Sequence, residues 1–160
     1  MRVATTGGLM QQPSSNYYLA TYGLSAEAGT DTGSFLTRLT YIERPEFRDA
    51  GYADKDYGWF ALVGTKLTKA PTHGLYAFFG VGRMAGYVET DQAKNKTAGN
   101  LRRTFGVYGP TAALEYVAHW GRYDIGVGHR TLIGYVDNTE LKSLVAWPYN
   151  FFEFHLGVTL

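Results

Sequence analysis

Cysteine is absent from the 160 residues. That excludes a disulfide scaffold, a thiolate-ligated zinc site and thiol catalysis. Charge of one sign is lacking too, since 15 Lys and Arg face 14 Asp and Glu for a formal net charge of +1. Such a balance offers no field to a phosphate backbone, so no nucleic-acid partner is expected. No run approaches 18 apolar residues, and no transmembrane helix is expected. Charged residues make up only 18%, below the ~25% of ordinary soluble domains. No signal peptide is expected in the opening residues, where Met1-Arg2-Val3-Ala4 could begin a mature protein. Apolar residues spaced at i, i+3, i+4 and i+7 are missing from every long segment.

Glycine and aromatic side chains are plentiful instead: 20 Gly, 13 Tyr, 9 Phe and 3 Trp. So much apolar surface excludes disorder, and the length suits one domain over 1–160. The dominant pattern is alternation with period 2. In the last segment Phe152, Phe154, Leu156, Val158 and Leu160 share one face, with Glu153, His155, Gly157 and Thr159 on the other. Tyr123, Ile125 and Val127 likewise oppose Arg122, Asp124, Gly126, Gly128 and Arg130. Tyr108, Ala112, Leu114, Tyr116, Ala118 and Trp120 oppose Thr111, Ala113, Glu115 and Val117.

Strands are therefore expected at about 16–28, 34–44, 57–69, 73–87, 102–120, 121–133 and 150–160. Short connections at 29–33, 69–72 and 119–121 alternate with long polar ones at 45–56, 88–101 and 134–149. Two all-β architectures accept this. A soluble lipocalin-like barrel turns its apolar face inward, around a ligand. A transmembrane barrel turns it outward to lipid and keeps small and polar residues inside. Strand length suits a tilted bilayer crossing, which takes about 9–11 residues. Aromatics also gather at two levels: Tyr17, Tyr18, Tyr41, Tyr57, Trp59, Tyr87 and Trp147 at one, Tyr76, Tyr116, Trp120 and Tyr123 at the other. Two levels of this kind read as interfacial girdles. The expected fold is an antiparallel up-and-down transmembrane β-barrel of about eight strands.

In length, alternation and loop asymmetry the chain resembles the small eight-stranded barrels of the bacterial outer membrane. The resemblance is architectural and carries no family motif. Such proteins commonly end in an aromatic residue, whereas this chain ends in Leu160. The resemblance implies the outer membrane of a Gram-negative cell, in contact with the lipid bilayer and lipopolysaccharide. If the short turns are periplasmic, an upward strand must precede 16–28, and only 2–12 can supply it. That segment is a poor strand, with a flexible N-terminus over 1–15 as the alternative, but the count that includes it is preferred. A rival count starts at 16 and makes 140–147 the seventh strand.

The inward face collects ionisable groups. Glu27, Arg38, Lys66, Glu115, Arg122 and Asp124 fall towards the turn end, with Arg130, Glu153 and His155 higher. Arg83 has no clear facing. These nine residues are expected to form a lumen charge network filling a narrow barrel, whose buried charges must pair. A proton path or gated pore is the functional alternative. His155 beside Glu153 could switch with pH, though a satisfied interior histidine is the plainer reading.

His129-Arg130-Thr131, followed by Glu140, is similar to the catalytic His-x-Ser and supporting Glu of the lipid A deacylases. Here Thr131 stands for the serine and Leu132 for the asparagine that usually follows it. His129 falls on the apolar face and should sit at headgroup height. The lipid A palmitoyltransferases use an Asp-Ser pair that Gly82-Arg83-Met84 does not supply. Glu46, Asp49, Asp54 and Asp56 could hold a divalent cation through oxygen, but they lack a calcium-loop spacing, and no metal or cofactor is expected. The expectation is a non-enzymatic barrel with a plugged lumen and long surface loops. Its role is structural, receptor-like or accessory to an envelope or surface-polymer system, with an envelope protein or polymer as partner. A deacylase-like hydrolase and a soluble carrier stand as alternatives.

Overall fold

Each run of alternating residues becomes an antiparallel strand in the computed structural model of the chain, which describes residues 1–11, 18–30, 34–49, 52–68, 70–91, 100–136 and 145–160. In chain order these are β1 (Arg2–Gln11), β2 (Tyr18–Gly29), β3 (Leu36–Glu43), β4 (Phe47–Asp49), β5 (Tyr52–Lys66), β6 (His73–Asp91), β7 (Asn100–Trp120), β8 (Tyr123–Val136) and β9 (Val145–Thr159). Sequence neighbours pair except β3 with β4, and β1 with β9 and β3 with β5 complete the ring. Where each strand has a neighbour on both sides, as from Tyr22 to Gly29 of β2 and in the lower part of β7, the backbone polar groups meet inside the closed sheet.

β3 and β4 act as one barrel strand interrupted by a bulge. Both lie on β5, with Glu43 opposite Tyr57 and Phe47 opposite Asp54. Arg44, Pro45 and Glu46 therefore face only Lys55 and Asp56. Proline is tolerated there because the extra residue of a bulge leaves the ladder. The Arg44 amide still donates to the Asp56 carbonyl at 2.9 Å. Counted this way, the barrel has eight strands.

The registers also fix its width. Stepping across the pairs from Leu36 leads to Gly64, Phe78, Ala113, Arg130, Phe151, Met10 and Leu19. Extending the β2–β3 register from Leu19 meets position 46, ten residues above the starting point at Leu36. Strand number and stagger together set the tilt and diameter, and eight strands leave room for side chains rather than a channel.

Facing follows parity. Phe79, Val81, Tyr116, Val127, Phe154 and Leu156 are exposed on the outside, while Arg130, Phe60, Phe78, Phe151 and His155 are buried within. This is the inverse of a lipocalin-like barrel. The exposed outer belt on β7 runs from Tyr108 to Trp120, a rise of roughly 28 Å at about 3.3 Å per residue and a tilt of about 45°. Tyr18, Tyr22, Trp59 and Tyr108 mark its upper part, and Phe35, Trp120 and Tyr123 its lower rim. Tyr76, expected in the lower girdle, points inward and is buried.

The strand boundaries depart from the expectation at the upper end. The polar stretches 45–56, 88–101 and 134–149 contribute paired strand at their ends: β5 starts at Tyr52, β6 reaches Asp91, β7 begins at Asn100 and β9 at Val145. Their missing alternation reflects a ladder that rises beyond the apolar belt, where neither face has to be greasy. Residues 2–11 are a full strand, paired on both sides by β2 and β9. Val145–Thr159 is one strand, which removes the rival count. The lower turns stay short, and Gly121 takes φ 59°, a left-handed value that favours glycine in the β7–β8 turn.

Candidate functional site

The interior divides into two zones. Met10, Ile42, Phe60, Met84, Val107, Leu132, Tyr149 and Phe151 pack in the upper half as part of one apolar cluster. Beneath and among them runs a chain of ionisable groups. At the bottom the Tyr76 hydroxyl and His119 Nε2 are 2.8 Å apart. His119 Nδ1 is 2.5 Å from Asp124 Oδ1, and Asp124 Oδ2 is 2.9 Å from Arg2 Nε. An Arg2 guanidinium nitrogen lies 4.0 Å from Glu27, which in turn accepts from Arg38 Nη2 at 2.5 Å. Arg38 also donates to Glu115, so it bridges two carboxylates.

From Glu115 the chain continues upward. His155 Nε2 is 3.5 Å from Glu115 and 3.8 Å from Glu153. Glu153 meets Arg130 at 2.9 Å. Both arginines are backed by aromatic faces, with Arg38 3.9 Å above the Phe78 ring and Arg130 4.4 Å above Phe60. Phe60 in turn meets Phe151 edge-on, with centroids 5.5 Å apart. A guanidinium stacked on a ring and forked to carboxylates is well suited to a dry interior.

Strand register explains how this crowd fits. Gly128 on β8 stands between Glu115 on β7 and Glu153 on β9. A Cβ at Gly128 would lie 2.6 Å from the Glu115 Cγ, so the glutamate side chain occupies the space a side chain would need. The glycines of the inward face make room for charged neighbours.

Seven of the nine residues expected in the lumen network join this chain: Glu27, Arg38, Glu115, Asp124, Arg130, Glu153 and His155. Lys66 sits at the lower mouth and donates to the Ala70 carbonyl at 2.6 Å instead of a carboxylate. Arg122 does not face the lumen, because it occupies the β7–β8 turn and is exposed. Arg2, His119 and Tyr76 were not anticipated. Alternation of Arg2 with Ala4 and Thr6 was the available signal, hidden in a segment of weak strand propensity.

A second interior group lies at the bulge, where Arg44 pairs with Asp54 and Asp56, each at 2.8 Å. Two of the acids weighed for a divalent cation are thus engaged by an arginine. Glu115, Glu153 and His155 have ligand atoms within 4.8 Å of one another, the spacing a metal ion would need. Arg38 and Arg130 already neutralise both carboxylates there, so the set fits an ion-pair network better than a cation site.

Of the hydrolase candidates, His129 and Thr131 lie among the described residues, and they do not hydrogen-bond to each other. His129 is exposed on the outer face at mid-belt, not at the rim, with its ring 4.9 Å from Phe152. Its register partners are Leu114 and Phe152. The Thr131 hydroxyl donates to Asn150 Oδ1 at 3.0 Å. Glu140 lies outside the described residues, and among those described no carboxylate approaches His129.

Closed ring, eight strands and an outward apolar belt define the class: a small outer-membrane-type β-barrel. Among solved structures, Neisserial surface protein A aligns with a TM-score of 0.63 at 10% identity, over 99% of this chain and 95% of that one. Ail, the attachment invasion locus protein of Yersinia pestis, crystallised with the heparin analogue sucrose octasulfate, aligns with a TM-score of 0.61 at 9% identity, over 98% and 94%. The N-terminal β-barrel domain of Pseudomonas aeruginosa OprF gives 0.53 at 12% identity, over 98% and 96%. Identities this low establish a shared fold and nothing about activity. No protein-family model and no curated protein matches the sequence.

Proposed function

We propose that the protein is an integral barrel of the bacterial outer membrane, with a lumen plugged by its own side chains and with its extended hairpins on the cell surface. The carrying observation is the facing of β9: Phe152, Phe154 and Leu156 are each about half exposed, at 47%, 46% and 50%, while Glu153 and His155 are buried. An apolar outside around a charged inside is stable only in lipid. The role is structural or receptor-like, exercised through the hairpins, and a partner in an envelope or surface-polymer system fits it. No enzymatic step is assigned, because the nearest candidate nucleophile, Thr131, is tied to Asn150 and not to His129.

Reconstitution tests the reading. The full chain should insert into lipid vesicles and show the heat-dependent gel shift of a closed barrel. In planar bilayers it should give no steady ohmic conductance. A tag inserted at Ala93, outside the described residues, should bind antibody on intact cells. A monodisperse monomer purified without detergent or lipid would refute the membrane assignment. Labelling only after the outer membrane is opened would reverse the orientation.

A further inference from the structure

The outer surface carries one arginine that the interior network leaves aside. Arg83 on β6 is exposed on the apolar face, in register between Trp59 on β5 and Tyr108 on β7. Both aromatics are more than half exposed, at 59% and 57%. Among the described residues no carboxylate pairs with Arg83. The neighbouring outward cation differs in this respect, since Lys55 is ion-paired to Glu43. A guanidinium in an apolar belt is costly unless it reaches the interface or finds an anion there.

Beneath Arg83 the belt is hollowed. A groove of about 660 Å³ is lined by Trp59, Ala61, Val81, Tyr108, Pro110 and Arg83. It shares Leu39, Ala61 and Val81 with a second groove of about 440 Å³, which continues towards the turn end past Val63 and Phe79. Small side chains at Ala61 and Pro110 make the trough, and larger ones form its walls. The result is a long apolar slot with a cation and two polar-tipped aromatics at its upper end. That is the shape and polarity of an acyl chain bearing a phosphate.

We propose that this slot is a specific site for one molecule of lipid A, with a phosphate on Arg83 and an acyl chain lying over Ala61 and Val81. The proposal rests on the membrane orientation given above, which puts the Arg83 end in the outer leaflet. Lipid A is the anionic lipid expected there, whereas glycerophospholipids would meet the opposite rim. Tyr108 and Tyr135, both lining the groove, add hydroxyls for the sugar.

The test uses the full chain folded in detergent micelles, with lipid A, dephosphorylated lipid A or phosphatidylglycerol added, and reads bound lipid by native mass spectrometry. The unmodified barrel should retain one lipid A and shed the other two lipids. Arg83→Gln should weaken retention about tenfold, the scale of one lost charge-assisted contact. Arg83→Lys should keep much of it, and Ala61→Phe, which fills the slot without touching the charge, should lose it. Both residues face outward, so the gel shift should show all three variants folded. Equal retention by Arg83→Gln and the unmodified chain would overturn the site. Phosphatidylglycerol held as tightly as lipid A would overturn the choice of ligand. Vesicle insertion is measured alongside: a chain that fails to insert refutes the membrane reading, whereas insertion without selective lipid A retention refutes the slot alone.

Discussion

Arg2 Nε lies 2.9 Å from Asp124 Oδ2, which joins the start of the first strand to the start of β8 across the intervening β9. The pair therefore straddles the seam at which the first and last strands meet. Asp124 also engages His119 at 2.5 Å and accepts from the Thr159 hydroxyl at 3.3 Å. One carboxylate thus ties together β1, β7 and β9.

Asp124→Ala should accordingly be among the more damaging interior changes. It removes the near partner of the Arg2 guanidinium and leaves only Glu27 at 4.0 Å, a loss that approaches about 3–5 kcal/mol where burial is deep. Arg122→Ala, two residues away but exposed in the turn, should change stability by less than about 0.5 kcal/mol. Urea midpoints of the gel-shift transition compare the two. Equal midpoints would show that the seam pair carries no weight.

The Arg130–Glu153 pair invites a double-mutant cycle. Glu153→Leu alone leaves a fully buried guanidinium unpaired and should cost about 3–5 kcal/mol. Adding Arg130→Met restores an apolar match of similar volume and should recover most of that loss, since a buried pair replaced as a unit is often neutral. Simple additivity of the two single losses would show that the residues do not depend on each other.

On the outer face, Leu156→Arg should cost about 2–4 kcal/mol in vesicles, the value for a cation deep in the bilayer. Leu160→Arg, at the end of the same stripe, should cost about 0–1 kcal/mol. Folding free energies in lipid measure the difference. Equal costs would mean that the belt is misplaced along β9.

Phe60 and Phe151 meet edge to face from opposite walls of the barrel, with Arg130 stacked on Phe60. Replacing both aromatics by alanine should turn a silent barrel into one with small, flickering conductance in planar bilayers. A large steady conductance in the unmodified chain would contradict the closed lumen.

Alternation made most of the barrel legible, because a strand with an apolar belt on one side and packed charges on the other has to alternate. Phe152 to Leu160 and Tyr108 to Trp120 were readable residue by residue for this reason. The 52–56 stretch was not, since Asp54, Lys55 and Asp56 lie above the belt, where the constraint lapses. Inward-facing charges were legible as a set, but their partners were not. Arg38 bridges Glu27 on β2 and Glu115 on β7, and only closure of the ring brings those two strands within reach of one side chain. Arg122 shows the complementary error: parity was extrapolated one step too far, into a turn that parity does not govern.

The seam has a consequence for timing. Arg2 can meet Asp124, and the Leu160 amide can donate to the Met1 carbonyl at 2.9 Å, only after every intervening hairpin is in place. Contacts so distant along the chain form late, because the loop entropy comes due before they contribute. A half-built barrel would hold Arg2 and Asp124 apart at an open margin, both solvated, while Glu27 already meets Arg38 on the adjacent β3. Closure converts that margin into the interior in a single event, so assembly should be all or nothing, and a lesion at the seam should show first as chains that never finish rather than as barrels that come apart.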